Sequence, residues 1–193
     1  MSHRCSNLAM VALLVLTTSG QPAYGRAEEP PQERTSASGT PLVLAAEQGE
    51  RRLWRTPVGG SFILKVDRRN GGSPDLVMGY EDIAPGQAIP PHRHLVADEI
   101  IVVHRGSGVV ELGARTEAFG AGATIYIPKT TRITVRNTGT EPLSIAFVFS
   151  KPGFEEFLRD FSAPAGQPVT PLSVEERRAI QARHRWHTIF EPR

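Results

Sequence analysis

The stretch from Gly86 to Gly106 constrains the fold most, because it brings three metal-binding side chains close together in the chain. In a β-strand, residues two apart point to the same face, so the His92 and His94 side chains can reach one point. The β-branched run that begins at Glu99 indicates a second strand, whose first residue can return a carboxylate to that point. Two imidazoles and one carboxylate form the facial triad that binds Fe(II), and the same donors suit zinc, manganese, nickel or copper. The sequence therefore predicts a divalent metal site here, with Glu99 as a ligand or catalytic base.

The spacing of these residues resembles the first signature motif of the cupins. Gly86, His92, His94, Glu99 and Gly106 stand at the five positions that the motif prescribes. The resemblance covers roughly residues 60 to 150 and implies an all-β fold, an antiparallel jelly-roll β-barrel. The single barrel and the apolar tail after it are similar to the small, quercetin-dioxygenase-like cupins.

The second cupin motif is matched only in part. Gly122, Pro128 and Asn137 fall in their expected places, but Thr130 stands where the family has a glycine. The family's fourth metal ligand, a histidine, is replaced by Ile133. The resemblance implies that Ile133 lines the pocket beside the metal and leaves that side of the site open.

Two classes of function follow from an incomplete ligand set. An open coordination position lets a catalytic metal bind water, dioxygen or substrate, which favours a metal-dependent oxygenase-like enzyme that acts on a small organic molecule. The missing fourth histidine favours the alternative, a non-catalytic cupin that holds a small molecule after losing full metal coordination. In both cases the expected partner is a small-molecule ligand or substrate, and a homodimer is left open.

The composition of the chain excludes several other classes. It is 39% hydrophobic and 22% charged with a formal net charge of +2, which is typical of a globular protein. The chain contains no basic run interleaved with aromatic residues, so nothing in it indicates a nucleic-acid partner. No phosphate-binding loop, dinucleotide fingerprint or nucleophile elbow stands at a strand–helix junction, so nucleotide-dependent and serine-hydrolase functions have no support.

The N-terminal residues predict export. Arg4 precedes an apolar run and then small residues up to Gly25, which is the pattern of a signal peptide over residues 1–25, although cleavage after Ala27 also fits. An amphipathic or buried N-terminal helix is the alternative. We therefore expect a periplasmic or secreted protein with no membrane association after cleavage. Residues 26–40 are polar and rich in proline and serine, which indicates a disordered linker.

The rest of the chain divides into a barrel domain, residues 41–150, and a helical tail, residues 151–193. Short apolar runs punctuated by glycine and proline predict the barrel strands at 61–66, 76–83, 99–103, 109–112, 123–127, 133–137 and 143–149, with a further strand carrying the two ligand histidines. The tail has an i, i+3, i+4, i+7 stripe from Phe154 and a capping box at Ser173–Glu176, which predict two short helices. His104, His184 and His187 are expected on the surface and Asp98 in a solvated loop.

Overall fold

The computed structural model describes residues 39–191, so the predicted signal peptide and most of the predicted linker lie outside the described residues. Within that range no helix has the length and apolar character needed to cross a membrane. The strands are β1 Glu50–Trp54, β2 Ser61–Val66, β3 Val77–Ile83, β4 Ala88–His94, β5 Glu99–Arg105, β6 Ser107–Leu112, β7 Arg115–Gly120, β8 Thr124–Ile127, β9 Ile133–Asn137, β10 Leu143–Phe149, β11 Ser162–Pro164 and β12 Thr188–Phe190, and the helices are α1 Phe154–Asp160 and α2 Val174–Arg183.

Two antiparallel sheets make up the barrel. The larger sheet has seven strands in the order β11-β1-β2-β3-β10-β5-β8, and the smaller has five in the order β12-β4-β9-β6-β7. Every pairing between these strands is antiparallel, which confirms the predicted all-β class with short helices near the C-terminus. The strand that carries the two histidines and the strand that carries Glu99 therefore belong to opposite sheets and face each other across the interior.

Alternation along each strand decides what lies inside. On β5, Glu99, Ile101 and Val103 are buried, whereas Ile100 and Val102 point outward. The buried apolar side chains form two clusters. We call the first the aromatic cluster: Phe62, Leu64, Val77, Ala97, Phe147, Phe149, Phe157, Leu158, Leu172 and Ile180, with Trp54, Phe154, Phe161 and Phe190 packed against it. We call the second the aliphatic cluster: Ile83, Ile101, Val103, Val110, Ile125, Ile127, Ile133, Val135, Leu143 and Ile145.

The C-terminal tail is part of both sheets, which the sequence did not predict. Besides its two helices it forms β11, which pairs with β1, and β12, which pairs with β4. Strands β1 and β7 were also missed, because both are rich in charged residues and lack the alternation of apolar and polar positions. Backbone pairing holds both strands in place: β1 pairs with β2 and β11, and β7 pairs with β6 at the edge of its sheet.

Buried charges anchor the tail to the barrel. The Arg159 guanidinium of α1 donates to Glu50 Oε2 at 2.6 Å and also to Asp67, which follows β2. Arg52 of β1 donates through Nε to Ser162 Oγ at 2.6 Å. The predicted capping box of α2 is confirmed, since the Ser173 hydroxyl accepts from the Glu176 N–H while the Glu176 carboxylate accepts from the Ser173 N–H.

Candidate metal centre

The fold brings His92, His94 and Glu99 together as the sequence predicts. The two histidines share the inward face of β4, and the chain turns after His94 so that Glu99 enters from the opposite sheet. One ligand atom from each residue lies within 4.8 Å of the others, and all three side chains are buried. The two Nε2 atoms are 3.1 Å apart, and His94 Nε2 lies 3.4 Å from Glu99 Oε2.

The hydrogen bonds of His92 fix which of its nitrogens is free. Its Nδ1 lies 2.8 Å from the Pro90 carbonyl oxygen, which can only accept, so Nδ1 carries the proton. Burial, reinforced by the neighbouring His94, lowers the pKa of His92 to about 4, and the ring is therefore neutral at physiological pH. The unprotonated Nε2 consequently presents its lone pair to His94 and Glu99.

Glu99 carries the clearest sign of a missing partner. Its Oε2 atom is buried and has no hydrogen-bond partner among the residues that the structure describes. In that part of the chain no lysine or arginine forms an ion pair with it, and His94 is its one partner within ion-pair distance. A buried carboxylate without compensation is strongly unfavourable, and a divalent cation between it and two imidazole lone pairs would remove that penalty. The three residues present therefore fit a divalent metal.

Ile133 lies beside His92, at the position that the family gives to a fourth ligand. It begins β9, where its Cα is the direct antiparallel partner of that of His92, so both side chains point to the same face. Ile133 is fully buried in the aliphatic cluster. The side of the site nearest β9 is therefore apolar and offers no protein donor at this position.

Thr130 keeps the backbone conformation that a glycine would favour. Its φ of 69° lies in the left-handed region, which is uncommon for a β-branched residue. The strained turn places the Thr130 N–H 2.6 Å from the carbonyl oxygen of His94, to which it donates. This hydrogen bond docks the loop against the strand that carries the histidines, with threonine at the position of the glycine in the cupin motif.

Aromatic rings from the tail and from β10 pack against the histidines. The Phe154 ring centroid lies 4.6 Å from that of His94 in an edge-to-face arrangement and is parallel to the His92 ring at 6.4 Å. Phe149 packs against His94 at 4.7 Å, and Phe190 against His92 at 5.6 Å. Two cavities of about 420 and 190 Å³ among the described residues are lined by other side chains. Neither cavity reaches the three ligands or Ile133.

The structure corrects the prediction for two of the remaining histidines. His184 and His187 were expected on a helix surface, but both are buried, with exposed fractions of 7% and 2%. His184 is the C-cap residue that follows α2, and His187 lies in the turn before β12, so the pairing of β12 with β4 draws both into the interior. His104 is exposed as predicted. Asp98 lies in the loop before β5, half-buried, where it accepts from the Lys129 N–H at 2.9 Å.

Sequence reasoning also missed Glu81. On β3 it alternates with outward-facing Tyr80 and Asp82, so it shares the inward face of the barrel, and it accepts a hydrogen bond from Trp54 Nε1 at 2.9 Å. Burial raises the pKa of Glu81 to about 7, and the negative charges of Glu99 and Asp82 add to the effect. Its place in the alternation of β3 was the signal that could have revealed it.

Comparison with known proteins agrees with this architecture. Residues 79–149 match the family described as Cupin domain. The chain is 31% identical over 156 residues to dimethylsulfoniopropionate lyase DddW from Ruegeria pomeroyi, covering 79% of this chain and 93% of that protein. It is also 31% identical over 96 residues to auxin-binding protein 1 from Arabidopsis thaliana, covering 45% of this chain and 48% of that protein.

Among solved structures, a predicted oxalate decarboxylase from Thermotoga maritima has the same fold, with a TM-score of 0.50 at 17% identity over 57% of this chain and 99% of that chain. The antiparallel barrel, with two histidines and one carboxylate gathered in its interior, is the architecture of a cupin with a candidate metal site. The chain belongs to the cupin superfamily.

Proposed function

We propose that this cupin holds one divalent metal with His92, His94 and Glu99 and acts as an enzyme on a small organic molecule. The observation that carries the proposal is the buried Glu99 Oε2 atom, which has no hydrogen-bond partner among residues 39–191 and faces the Nε2 atoms of both histidines. A bound metal would supply positive charge that attracts and polarises a substrate oxygen. The identity of the metal is part of the experiment, since Fe, Mn, Ni, Zn and Cu all accept these donors.

Among reaction types we favour lyase chemistry, because the similarity to the dimethylsulfoniopropionate lyase extends over 93% of that protein's length. That molecule carries a carboxylate at one end and a sulfonium cation at the other. Elimination removes a proton from the carbon next to the carboxylate, breaks the bond between carbon and sulfur, and yields acrylate, dimethyl sulfide and the released proton. The chemistry needs a carboxylate-binding centre, a proton acceptor and a surface that attracts a sulfonium.

The interior of this chain has a candidate for each need. Glu81 has a pKa near 7 and a half-buried carboxyl group on the inward side of β3, which suits a proton acceptor near neutral pH. The rings of Phe149 and Phe154 lie next to His94, where their electron-rich faces would attract a sulfonium. Because Phe154 also covers the histidines, we expect the start of α1 to move when substrate enters.

A second candidate is the oxygenase-like activity that the sequence indicates. The observation in its favour is Ile133, which leaves the β9 side of the site without a protein ligand and the metal with only two imidazoles and one carboxylate. This is the ligand set of non-haem Fe(II) oxygenases, in which open positions admit dioxygen and substrate.

Metal analysis followed by two activity assays tests these proposals. Protein purified without a nickel column is analysed for bound metal, and metal-loaded protein is then given dimethylsulfoniopropionate, with dimethyl sulfide measured by gas chromatography. Oxygen consumption with a flavonol tests the second candidate. Metal-dependent release of dimethyl sulfide that is lost in Glu99→Gln and Glu81→Gln supports the lyase. Stoichiometric metal with neither activity contradicts both reactions and favours the non-catalytic binding cupin.

We also propose that the protein is exported, on the strength of Arg4, the apolar run that follows it and the small residues before Gly25. Mass spectrometry of protein recovered from the periplasm or medium should find a chain that begins at Arg26 or Glu28. Full-length protein confined to the cytosol would contradict export.

A further inference from the structure

A continuous chain of hydrogen bonds leads from the metal centre to the protein surface through the C-terminal tail. His94 Nδ1 lies 3.1 Å from Thr188 Oγ1, which in turn lies 2.9 Å from His187 Nδ1. His187 Nε2 lies 3.1 Å from His184 Nδ1, and His184 Nε2 lies 2.8 Å from Asp160 Oδ2. The sequence-based prediction, which placed His184 and His187 on the surface, gave no indication of this chain.

The chain is buried along most of its length and opens at one end. Thr188 and His187 each have an exposed fraction of 2%, whereas the Asp160 side chain is 35% exposed and pairs with Arg183 Nη1 at 2.7 Å. The backbone holds the inner end in place, because Thr188 pairs directly with His94 in the β12–β4 ladder and the Leu95 N–H donates to the His187 carbonyl oxygen at 2.7 Å.

The outer end sets the direction of every hydrogen bond. The Asp160 carboxylate can only accept, and its pKa is lowered by its hydrogen bonds to His184 and Arg183 even though burial opposes this, so it is ionised. His184 must therefore place a proton on Nε2. When His184 is neutral, this leaves its Nδ1 without a proton, so Nδ1 accepts from the Nε2–H of His187. Asp160 thus determines which partner donates in the hydrogen bond between His184 and His187.

The remaining links follow from the same rule. Burial and the adjacent imidazoles lower the pKa of His187 to about 4, so its ring is neutral and its Nδ1 accepts. The Thr188 hydroxyl has one proton, which it donates to His187, and it must then accept from His94 Nδ1. His94 is thereby left with an unprotonated Nε2, the atom that faces His92 and Glu99.

We propose that Thr188, His187, His184 and Asp160 are positioning residues that hold the proton of His94 on Nδ1 and keep its Nε2 free to bind metal. This inference rests on the proposed metal site. A partly exposed carboxylate would thus determine the tautomer of a buried ligand four groups away. The opposite tautomer of His94 would require the three links between His94 and His184 to reverse, which puts a second proton on His184 while Asp160 still accepts from its Nε2.

The first test separates the inner link from the shape of the side chain. Thr188→Val removes the hydroxyl but keeps the β-branched form, whereas Thr188→Ser keeps the hydroxyl. Loss of a partner that orients a metal-binding histidine weakens metal binding by about 10- to 100-fold. We expect that loss for Co(II) or Zn(II) in the valine variant, measured by competition with a chelator, and affinity close to wild type in the serine variant. Equal affinity in valine variant and wild type would overturn the proposal.

The second test needs no metal and starts from the exposed end. Nitrogen-15 NMR of the metal-free protein reports which imidazole nitrogen of His94 is protonated. We expect the Nδ1–H tautomer in wild type and in Arg183→Gln, which leaves the carboxylate in place, and a mixture of tautomers in Asp160→Asn. Because Asp160 is partly exposed, this variant serves even if Thr188→Val fails to fold.

The two proposals fail in different ways. A wild-type protein that has His94 as the Nδ1–H tautomer but binds no metal would contradict the proposed function and support the hydrogen-bond chain. A protein that binds metal but has Nε2–H on His94 in its metal-free form, or the same tautomer in wild type and Asp160→Asn, would overturn the chain alone.

Discussion

The two buried clusters of this barrel differ in composition and in how they are assembled. The aliphatic cluster consists of isoleucine, valine and leucine side chains that strands between β3 and β10 supply through simple alternation. The aromatic cluster takes several of its rings from the tail, among them Phe154, Phe157 and Phe190. The titratable groups of the site lie beside the aromatic cluster, because His92 and His94 contact its rings and Glu81 accepts a hydrogen bond from Trp54.

The difference shows how stability and chemistry are divided in the molecule. The aliphatic cluster has no ionisable member and can be close-packed without regard to hydrogen bonding. The aromatic side surrounds several buried polar groups, each of which needs a partner. Ile133 marks the boundary, because it belongs to the aliphatic cluster and lies directly opposite His92.

The largest expected effects come from deleting one large side chain on each side. Ile145→Ala should lower the free energy of unfolding by about 2–5 kcal/mol and Phe149→Ala by about 3–5 kcal/mol, as cavities in packed cores do. Only Phe149 touches a ligand, since its ring lies 4.7 Å from that of His94. Urea unfolding should show both losses, whereas chelator competition should show weaker metal binding only in Phe149→Ala. Equal metal affinities would remove the functional distinction between the clusters.

Lowering the pH should destabilise the protein through titratable groups outside the aliphatic cluster, among them His187 on the aromatic side. The pKa of His187 is about 4 in the folded protein against an ordinary value near 6.5, so the unfolded chain binds a proton first as the pH falls. The contribution of His187 to the free energy of unfolding is at its maximum above pH 6.5 and declines toward pH 4, by up to about 3 kcal/mol. Urea unfolding of metal-free His187→Gln should show a weaker decline than wild type over this range.

Glu81 and Ile145 provide the controls for the pH experiment. Because the pKa of Glu81 is raised to about 7, its contribution falls as the pH rises from its ordinary value through 7, the opposite direction. Subtracting the wild-type stability curve from that of His187→Gln removes the parts that the two proteins share, including those due to Glu81 and His92. Ile145→Ala should lower the free energy of unfolding by the same amount at pH 5 and at pH 7. A pH-dependent loss there would mean that the two sides are electrostatically coupled.

A smaller effect is expected at the boundary between the clusters. Ile133→His would place an imidazole opposite His92 and complete a shell of three histidines and one carboxylate. Without metal, the buried polar ring should lower stability by about 1–3 kcal/mol. With metal, the variant should gain more stability than wild type in thermal-shift measurements with Mn, Ni and Zn. An equal gain in both proteins would place residue 133 away from the metal.

The sequence was most informative where local geometry decides the outcome. The one-residue spacing of His92 and His94 fixes a common face of a strand, so their convergence with Glu99 could be predicted. The pairing of β12 with β4 could not, because a three-residue strand has no periodic pattern and its partner lies far away in the chain. The burial of His184 and His187 depends on that pairing.

The central claim is that His92, His94 and Glu99 bind a divalent metal. It is tested most directly by measuring metal binding and thermal stability in wild type and in Glu99→Gln, with the exposed Glu117→Gln as the matched control. Wild type and control should bind one divalent metal per chain and gain stability from it, by about 2.7 kcal/mol at a metal concentration 100 times the Kd. Glu99→Gln should bind none, yet be more stable than metal-free wild type, because it lacks the unpaired buried charge. A wild type without stoichiometric metal, gaining no stability from Fe, Mn, Ni or Zn, would contradict the account.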